Sequence, residues 1–326
     1  MDAIELNPLW DPFQRPNLPS RSKVESKQDS RQSSLFVSAG LTACFTSSLY
    51  NSLDCLRVRW QVQNGPSQNA TISSFARNII QREGFWKGLW QPGIVANAAG
   101  MGTSAALRFG YYETVRDSLY DKESSSKNGI HMILAGSIVG SIAYFITTPF
   151  HLIKTLSQAE AGATTTRGLY LYGPRAGMKP YITGLRSGLV QIVADQGYRG
   201  LWRGWAPLSI RGAMFTSGQM LGYDGCKTFC KYHDMQEGPI LHTISSIVAA
   251  LGATILSTPP DYVMARYMSN SNLALSSIVQ QIYKEHGILG FWKGSSISFF
   301  RVTPVMLTWS IVYEQLRYQL GIGYMS

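Results

Sequence analysis

"EHGILGFWKGSSI" occupies residues 285–297, "DQGYRGLWRGWAP" residues 195–207 and "REGFWKGLWQP" residues 82–92. Each contains an aromatic–basic–glycine triplet: Trp292-Lys293-Gly294, Trp202-Arg203-Gly204 and Trp86-Lys87-Gly88. One copy would carry no information. Three copies in one chain mark an internal repeat, and a repeat decides the architecture before any local reading does.

The rest of each third follows the same order. Every triplet leads into a stretch that ends in tyrosine, an acid and, three residues after the acid, a base: Tyr112-Glu113-x-x-Arg116, Tyr223-Asp224-x-x-Lys227 and Tyr313-Glu314-x-x-Arg317. Every triplet is preceded by an apolar stretch that ends in mixed charge: "NSLDCLRVRWQVQ" (51–63), "TPFHLIKTLSQAE" (148–160) and "TPPDYVMARYMSN" (258–270). Two long segments per unit, with an amphipathic helix between them, predict six long helices. The repeats fall at 34–120, 128–231 and 238–320, after a polar, Pro-, Ser- and Arg-rich arm over 1–33 that is expected to be disordered.

Two segments, 131–150 and 239–260, are long enough to span a bilayer and contain no Asp, Glu, Lys or Arg. Four more, 34–60, 92–118, 205–229 and 296–319, mix polar and apolar residues. A helix with one lipid face and one face on a watery cavity reads that way. Small residues at i,i+4 (Ala39/Ala43, Gly136/Gly140, Ser246/Ala250) suit close helix contact in lipid. Loops on the side of the amphipathic helices carry most of the Lys and Arg, and that side should not be translocated. The expected class is an all-α membrane protein with six transmembrane helices in three pseudo-symmetric repeats.

Composition narrows the function. A net charge of +10 with only 15% charged residues points to an anionic partner. Cys44, Cys55, Cys226 and Cys230 form no CxxC pair, the five histidines are scattered, and no phosphate-binding glycine loop is present. An enzyme, a metal site and a cofactor are therefore not expected. Nucleic acid is not expected either, because the basic residues track the loops instead of forming a stripe.

This pattern resembles the mitochondrial carrier family over residues 34–320. The resemblance implies a multi-pass protein of the mitochondrial inner membrane, with short matrix helices, that exchanges a small anionic substrate by alternating access and works as a monomer. Some family members sit in other organelle membranes. The odd-helix signature of the family, Pro-x-acid-x-x-base-x-base, is incomplete here. Ser52 stands for proline in repeat 1, His151 for the acid and Leu156 for the last base in repeat 2, and Met264 for the first base in repeat 3.

By the same resemblance, a matrix gate pairs Asp54 with Lys154 and Asp261 with Arg57, leaves His151–Met264 blank, and is braced by Gln61 and Gln158 but not by Met268. A cytoplasmic gate pairs Glu113 with Lys227, Asp224 with Arg317 and Glu314 with Arg116. The triplets Trp86-Lys87-Gly88, Trp202-Arg203-Gly204 and Trp292-Lys293-Gly294 are expected at cardiolipin sites. Substrate contacts fall on the even helices. Arg211 and Arg301 both lie seven residues after the triplet glycine and twelve before the tyrosine. Twelve back from Tyr112 gives Gly100, although counting from Gly88 disagrees because repeat 1 has extra residues there. Gly100, Met101, Arg211, Gly212 and Arg301 are thus the candidate contacts, with Arg108 and Gln219 two turns beyond. Two arginines favour a substrate with two anionic groups. Of the branches, the sequence looks most like the dicarboxylate, oxoglutarate and oxaloacetate group. A nucleotide or cofactor carrier and a transport-inactive membrane adaptor are the alternatives.

Overall fold

The structure is a computed structural model that describes residues 21–62, 71–119, 129–162, 169, 177–232, 239–269 and 273–320. Among the described residues all regular elements are helical. Repeat 1 contains α1 (Arg21–Leu49), α2 (Asn51–Val62), α3 (Ile72–Glu83) and α4 (Ile94–Leu119); repeat 2 contains α5 (Gly129–Ala159), α6 (Leu185–Gly200) and α7 (Trp205–Tyr232). Repeat 3 contains α8 (Pro239–Ser269), α9 (Leu275–His286) and α10 (Ser295–Gln319). Helix α1 begins at Arg21, so part of the arm expected to be disordered is helical. Its Lys, Glu, Gln and Arg residues are good helix formers. Residues 1–20 of that arm lie outside the described residues.

The long helices close a ring. Helix α1 packs on α4, α4 on α5, α5 on α7, α7 on α8, α8 on α10, and α10 returns to α1. Large apolar side chains point outward in stripes: Val37, Leu41, Phe45 and Leu49 on α1, Ile138, Ile142 and Ile146 on α5, Ile247, Leu251 and Ile255 on α8. Threonines, serines and small residues are buried. Water would penalise such an outside, and lipid favours it. This inversion explains a mean hydropathy of only −0.04 in a membrane protein. Two helical stretches, Ala135–Ala159 and Ile244–Ser269, are long and apolar enough to span a membrane on composition alone. The other four long segments are too polar on their inner faces to pass that test.

Helices α7 and α8 approach closely along the stretch of α8 that includes Ala250. A Cβ on Gly222 would lie 2.7 Å from the Val248 carbonyl oxygen, and one on Gly252 would lie 2.5 Å from that of Gly218. Backbone therefore meets backbone between α7 and α8. A Cβ on Gly140, by contrast, would have nothing within 4 Å. The i,i+4 spacing permits close approach but does not choose which neighbour uses it.

Short helices α3 and α9 are amphipathic, burying Ile79 and Ile278 with Ile282. Thr71 caps α3 by accepting from the Ser74 amide. Glycines with positive φ, Gly84 and Gly287, end α3 and α9, Gly197 kinks α6 at the corresponding place, and three more, Gly93, Gly204 and Gly294, turn the chain into the even helices. Only glycine adopts that conformation freely. The second set corrects the repeat register. Gly88 is not among them, and the chain from Trp86 to Trp90 is a π-helical turn that absorbs extra residues. The counterpart of Gly204 and Gly294 is therefore Gly93, and Trp90, three residues before it, is the aromatic nearest the place of Trp202 and Trp292, with Gln91 and Pro92 between. Trp86 is 64% exposed. The triplet Trp86-Lys87-Gly88 thus stands out of register with the other two.

The tryptophans have a specific task. Pro149 and Pro259 lie inside α5 and α8 and lack the N–H that would bond the carbonyls four residues back. Those carbonyls belong to Phe145 and Ile255. Trp202 Nε1 donates to the Phe145 oxygen at 3.0 Å, and Trp292 Nε1 donates to the Ile255 oxygen at 2.9 Å. In repeat 1, where Ser52 replaces the proline, the helix is still interrupted between Leu49 and Asn51. There Asn97 Nδ2 donates to the Ser47 oxygen, five residues before Ser52, at 3.2 Å.

Candidate functional site

The odd helices converge where their signature residues lie, at the end that carries the short helices. Acid and base three residues apart share one helix face, so all three helices aim these groups at the ring axis. Arg57 pairs with Asp261, and Lys154 pairs with Asp54. Arg57 also reaches Asp54 on its own helix at 3.0 Å. All four are buried. His151 and Met264 make no ion pair, and Met264 joins Leu152, Leu156 and Met268 in an apolar cluster instead.

Gln61 and Gln158 do not brace the ion pairs as expected. Gln61 Nε2 donates to the Lys293 oxygen at 3.3 Å, and Gln158 Nε2 donates to Asn51 Oδ1 at 3.0 Å. They join neighbouring repeats. Methyl positions on Gly93, Gly204 and Gly294 would contact Gln158, Met268 and Gln61 respectively, so each repeat closes on the next in cyclic order. Asn51, which the sequence reading missed, is the hub of the first joint. It is fully buried, donates to the Trp90 and Pro92 oxygens, and accepts from Asn97 and Gln158. An asparagine where repeats 2 and 3 have Thr148 and Thr258 was the available signal.

A second charged layer lies outside the first and was also missed. Arg59 forms a forked pair with Glu83 at 2.6 and 2.8 Å, and Arg266 meets Glu285 at 2.9 Å. Burial pushes the Glu285 carboxyl up, but hydrogen bonds from Arg266 and Gln281 and the charge of Arg266 more than offset it, leaving its pKa below the usual value. Repeat 2 lacks both partners, with Leu156 for the base and Gln196 just before its glycine. Arg203 points to neither layer. It donates to the carbonyls of Tyr267 and Leu273 and stacks on the Tyr267 ring at 4.2 Å. Burial and then the Arg266 charge lower the Lys293 pKa, partly offset by Glu285.

With Gly93 as reference, the even-helix register is consistent from both ends: Gly100, Arg211 and Arg301 each follow the positive-φ glycine by the same seven positions. The two arginines do not stand free. Arg211 Nε lies 2.7 Å from Asp261 Oδ1, and Arg301 Nε lies 3.7 Å from Asp54 Oδ1. A chamber of about 60 Å³ contains both, together with Asp54, Arg57, Met101, His151, Lys154 and Trp309. Four cations, Arg57, Lys154, Arg211 and Arg301, therefore face two carboxylates, Asp54 and Asp261.

Above this floor the cavity is lopsided. Phe109, Trp309 and Tyr313 stack on one another across the front of α1, with centroids 5.3 to 5.9 Å apart. Open space lies beside this stack, in a chamber of about 300 Å³ whose wall includes Arg108, Phe109, Tyr144, Gly212, Thr216 and Gln219. Arg108 lies over the Tyr144 ring at 5.3 Å, and Gly212 leaves room for that ring.

At the far end, Arg116 donates to Asp117 at 2.8 and 2.9 Å and lies over Tyr112, while Arg317 lies over Tyr313. The side chains of Asp224, Lys227 and Glu314 are outside the described residues, so the expected pairs with Glu113, Arg116 and Arg317 are not described.

A sixfold helical ring with an ionic floor, charged groups at its centre and a lipid-facing exterior defines a membrane transporter. A sequence profile of the mitochondrial carrier protein family matches residues 28–123, 125–234 and 236–322, and the chain belongs to that family. It is thus a multi-pass carrier of the mitochondrial inner membrane. It is 29% identical over 303 residues to the mitochondrial substrate carrier family protein ucpB of Dictyostelium discoideum, covering 88% of this chain and 96% of that one. It is 28% identical over 296 residues to the mitochondrial brown fat uncoupling protein 1 of Bos taurus, covering 87% and 91%. With the Rattus norvegicus protein of the same name it shares 26% identity over 292 residues, covering 87% and 91%. These names do not support the dicarboxylate branch suggested by the sequence, so a substrate has to be argued from the site.

Proposed function

We propose that this carrier exchanges small dianionic metabolites, di- or oxo-carboxylates, by alternating access. The observation that carries this reading is the excess of two positive charges where Arg211 and Arg301 share one chamber with the gate. A dianion supplies the missing charge, and guanidinium forks suit carboxylates.

The coupling follows from the same contacts. A carboxylate that takes Arg211 competes with Asp261, and one that takes Arg301 competes with Asp54. Binding therefore weakens the floor it rests on, and a ligand can shift an equilibrium only through such a difference between states. As the matrix pairs part, Glu113–Lys227, Asp224–Arg317 and Glu314–Arg116 would close the opposite end. With one chain enclosing the whole cavity, the monomer is the working unit. An anionic lipid such as cardiolipin would bind at the starts of the even helices. Lys293 serves there better than Arg203, which is engaged with backbone carbonyls.

The chamber of about 300 Å³ beside Arg108 and Gln219 favours a second reading, a larger anion such as a nucleotide. Liposomes containing the purified carrier, preloaded with malate, oxoglutarate, sulfate, phosphate or ADP, decide between them. Uptake of labelled diacid that Arg211→Ala and Arg301→Ala both abolish supports the first reading. Uptake of ADP alone supports the second. No uptake of any anion by folded protein would favour the adaptor alternative.

A further inference from the structure

His151 occupies an acid's place in the gate signature, yet it is tied to no gate partner. Its side chain is buried, at 4% exposure, and Nε2 has no hydrogen-bond partner. A buried polar atom left unsatisfied is costly unless something transient satisfies it. The ring lines the same chamber as Arg211 and Arg301.

Gly100 gives that ring its room. The two equivalent positions carry Arg211 and Arg301, whereas repeat 1 has no side chain at all. A methyl group on Gly100 would lie 3.1 Å from Phe150 Cβ, 3.5 Å from His151 Nε2 and 3.6 Å from His151 Cδ2, against the edge of the ring. The third corner of the site is thus an imidazole on α5 that packs against the bare backbone of α4 and lines the chamber. A third arginine there would add charge; an imidazole N–H adds direction. The replacement of a base by Met264, which packs among apolar residues, removes the partner that would otherwise claim this position.

We infer that His151 Nε2–H is a specificity-determining contact, donating to a neutral oxygen on the carbon next to a substrate carboxylate, so that the carrier prefers 2-oxygenated diacids. This rests on the dicarboxylate reading above. Arg211 and Arg301 hold the two carboxylates and discriminate charge. His151 discriminates the substituent between them.

The test uses full-length carrier in liposomes preloaded with oxoglutarate. KM is measured for external oxoglutarate, 2-hydroxyglutarate and glutarate, which share two carboxylates and differ only at carbon 2. One neutral hydrogen bond corresponds to a preference of about fivefold for the oxygenated acids over glutarate. His151→Leu should erase that ratio. His151→Gln, whose amide nitrogen overlays Nε2, should retain it. Gly100→Ala, which places a methyl against the Nε2 edge of the ring, should erase it as well. A ratio near one in the parent, or a ratio that survives both His151→Leu and Gly100→Ala, overturns the inference while the dicarboxylate reading stands. A preference confined to the hydroxy acid overturns the donor role. If the parent takes up no diacid, the dicarboxylate reading falls and this inference falls with it.

Discussion

Trp202 and Trp292 test whether a side chain can stand in for a backbone donor inside a membrane helix. Each indole completes a carbonyl that a proline leaves orphaned, Phe145 by Pro149 and Ile255 by Pro259. Trp202→Phe keeps an aromatic ring and removes the donor. The loss leaves a carbonyl unsatisfied, which costs about 1–3 kcal/mol, more than the net of about 1 kcal/mol for an ordinary hydrogen bond. Water cannot reach far into hydrocarbon to repair it. We expect about 1–3 kcal/mol, read as a fall of a few degrees in the thermal unfolding midpoint of the purified carrier in detergent. Trp90→Phe is the internal control: Ser52 stands in place of the proline in repeat 1, so no proline orphans a carbonyl there, and the midpoint should hardly move. Pro149→Ala restores the missing N–H, so the Trp202→Phe loss measured in that background should be much smaller. Equal effects of Trp202→Phe and Trp90→Phe would refute the reasoning, as would a Trp202→Phe penalty unchanged by Pro149→Ala.

Other consequences can be checked in the same preparations. Arg59→Ala leaves the buried Glu83 unpaired and should destabilise by roughly 3–5 kcal/mol, whereas the double replacement Arg59→Leu/Glu83→Gln, which copies repeat 2, should recover most of that in unfolding assays. Gly222→Ala places a methyl against the α8 backbone and should cost about 1–3 kcal/mol by overpacking, while Gly140→Ala, with open space around it, should be near neutral; comparable losses would contradict the packing described. His151→Asp/Met264→Lys supplies the third matrix link; we expect a higher unfolding midpoint and slower exchange, and faster exchange would show that the pair does not act as a gate.

The threefold order of the chain was legible because it is local. Apolar stretches, turn glycines and the acid–x–x–base spacing each recur within a few residues, and helical geometry converts that spacing directly into shared faces. The pairs Asp54–Lys154 and Asp261–Arg57 followed from the same arithmetic combined with the family resemblance. The repeat 1 triplet did not, because a π-helical insertion moves the true glycine to Gly93, and only backbone conformation distinguishes it from Gly88. Asn51, the Arg59–Glu83 layer and the reach of Arg211 to Asp261 were equally hidden, since each joins residues far apart in sequence.

What the sequence determined alone is the number of repeats, the helices within them and the excess of positive charge along them. These depend on neighbours in the chain. The tertiary structure decided which tryptophan completes which carbonyl, that the two arginines already hold the gate acids, and that the His151 ring packs beside Gly100 in the wall of the chamber. Those depend on distances between helices, and closing six helices into one ring fixes such distances only once every helix is in place.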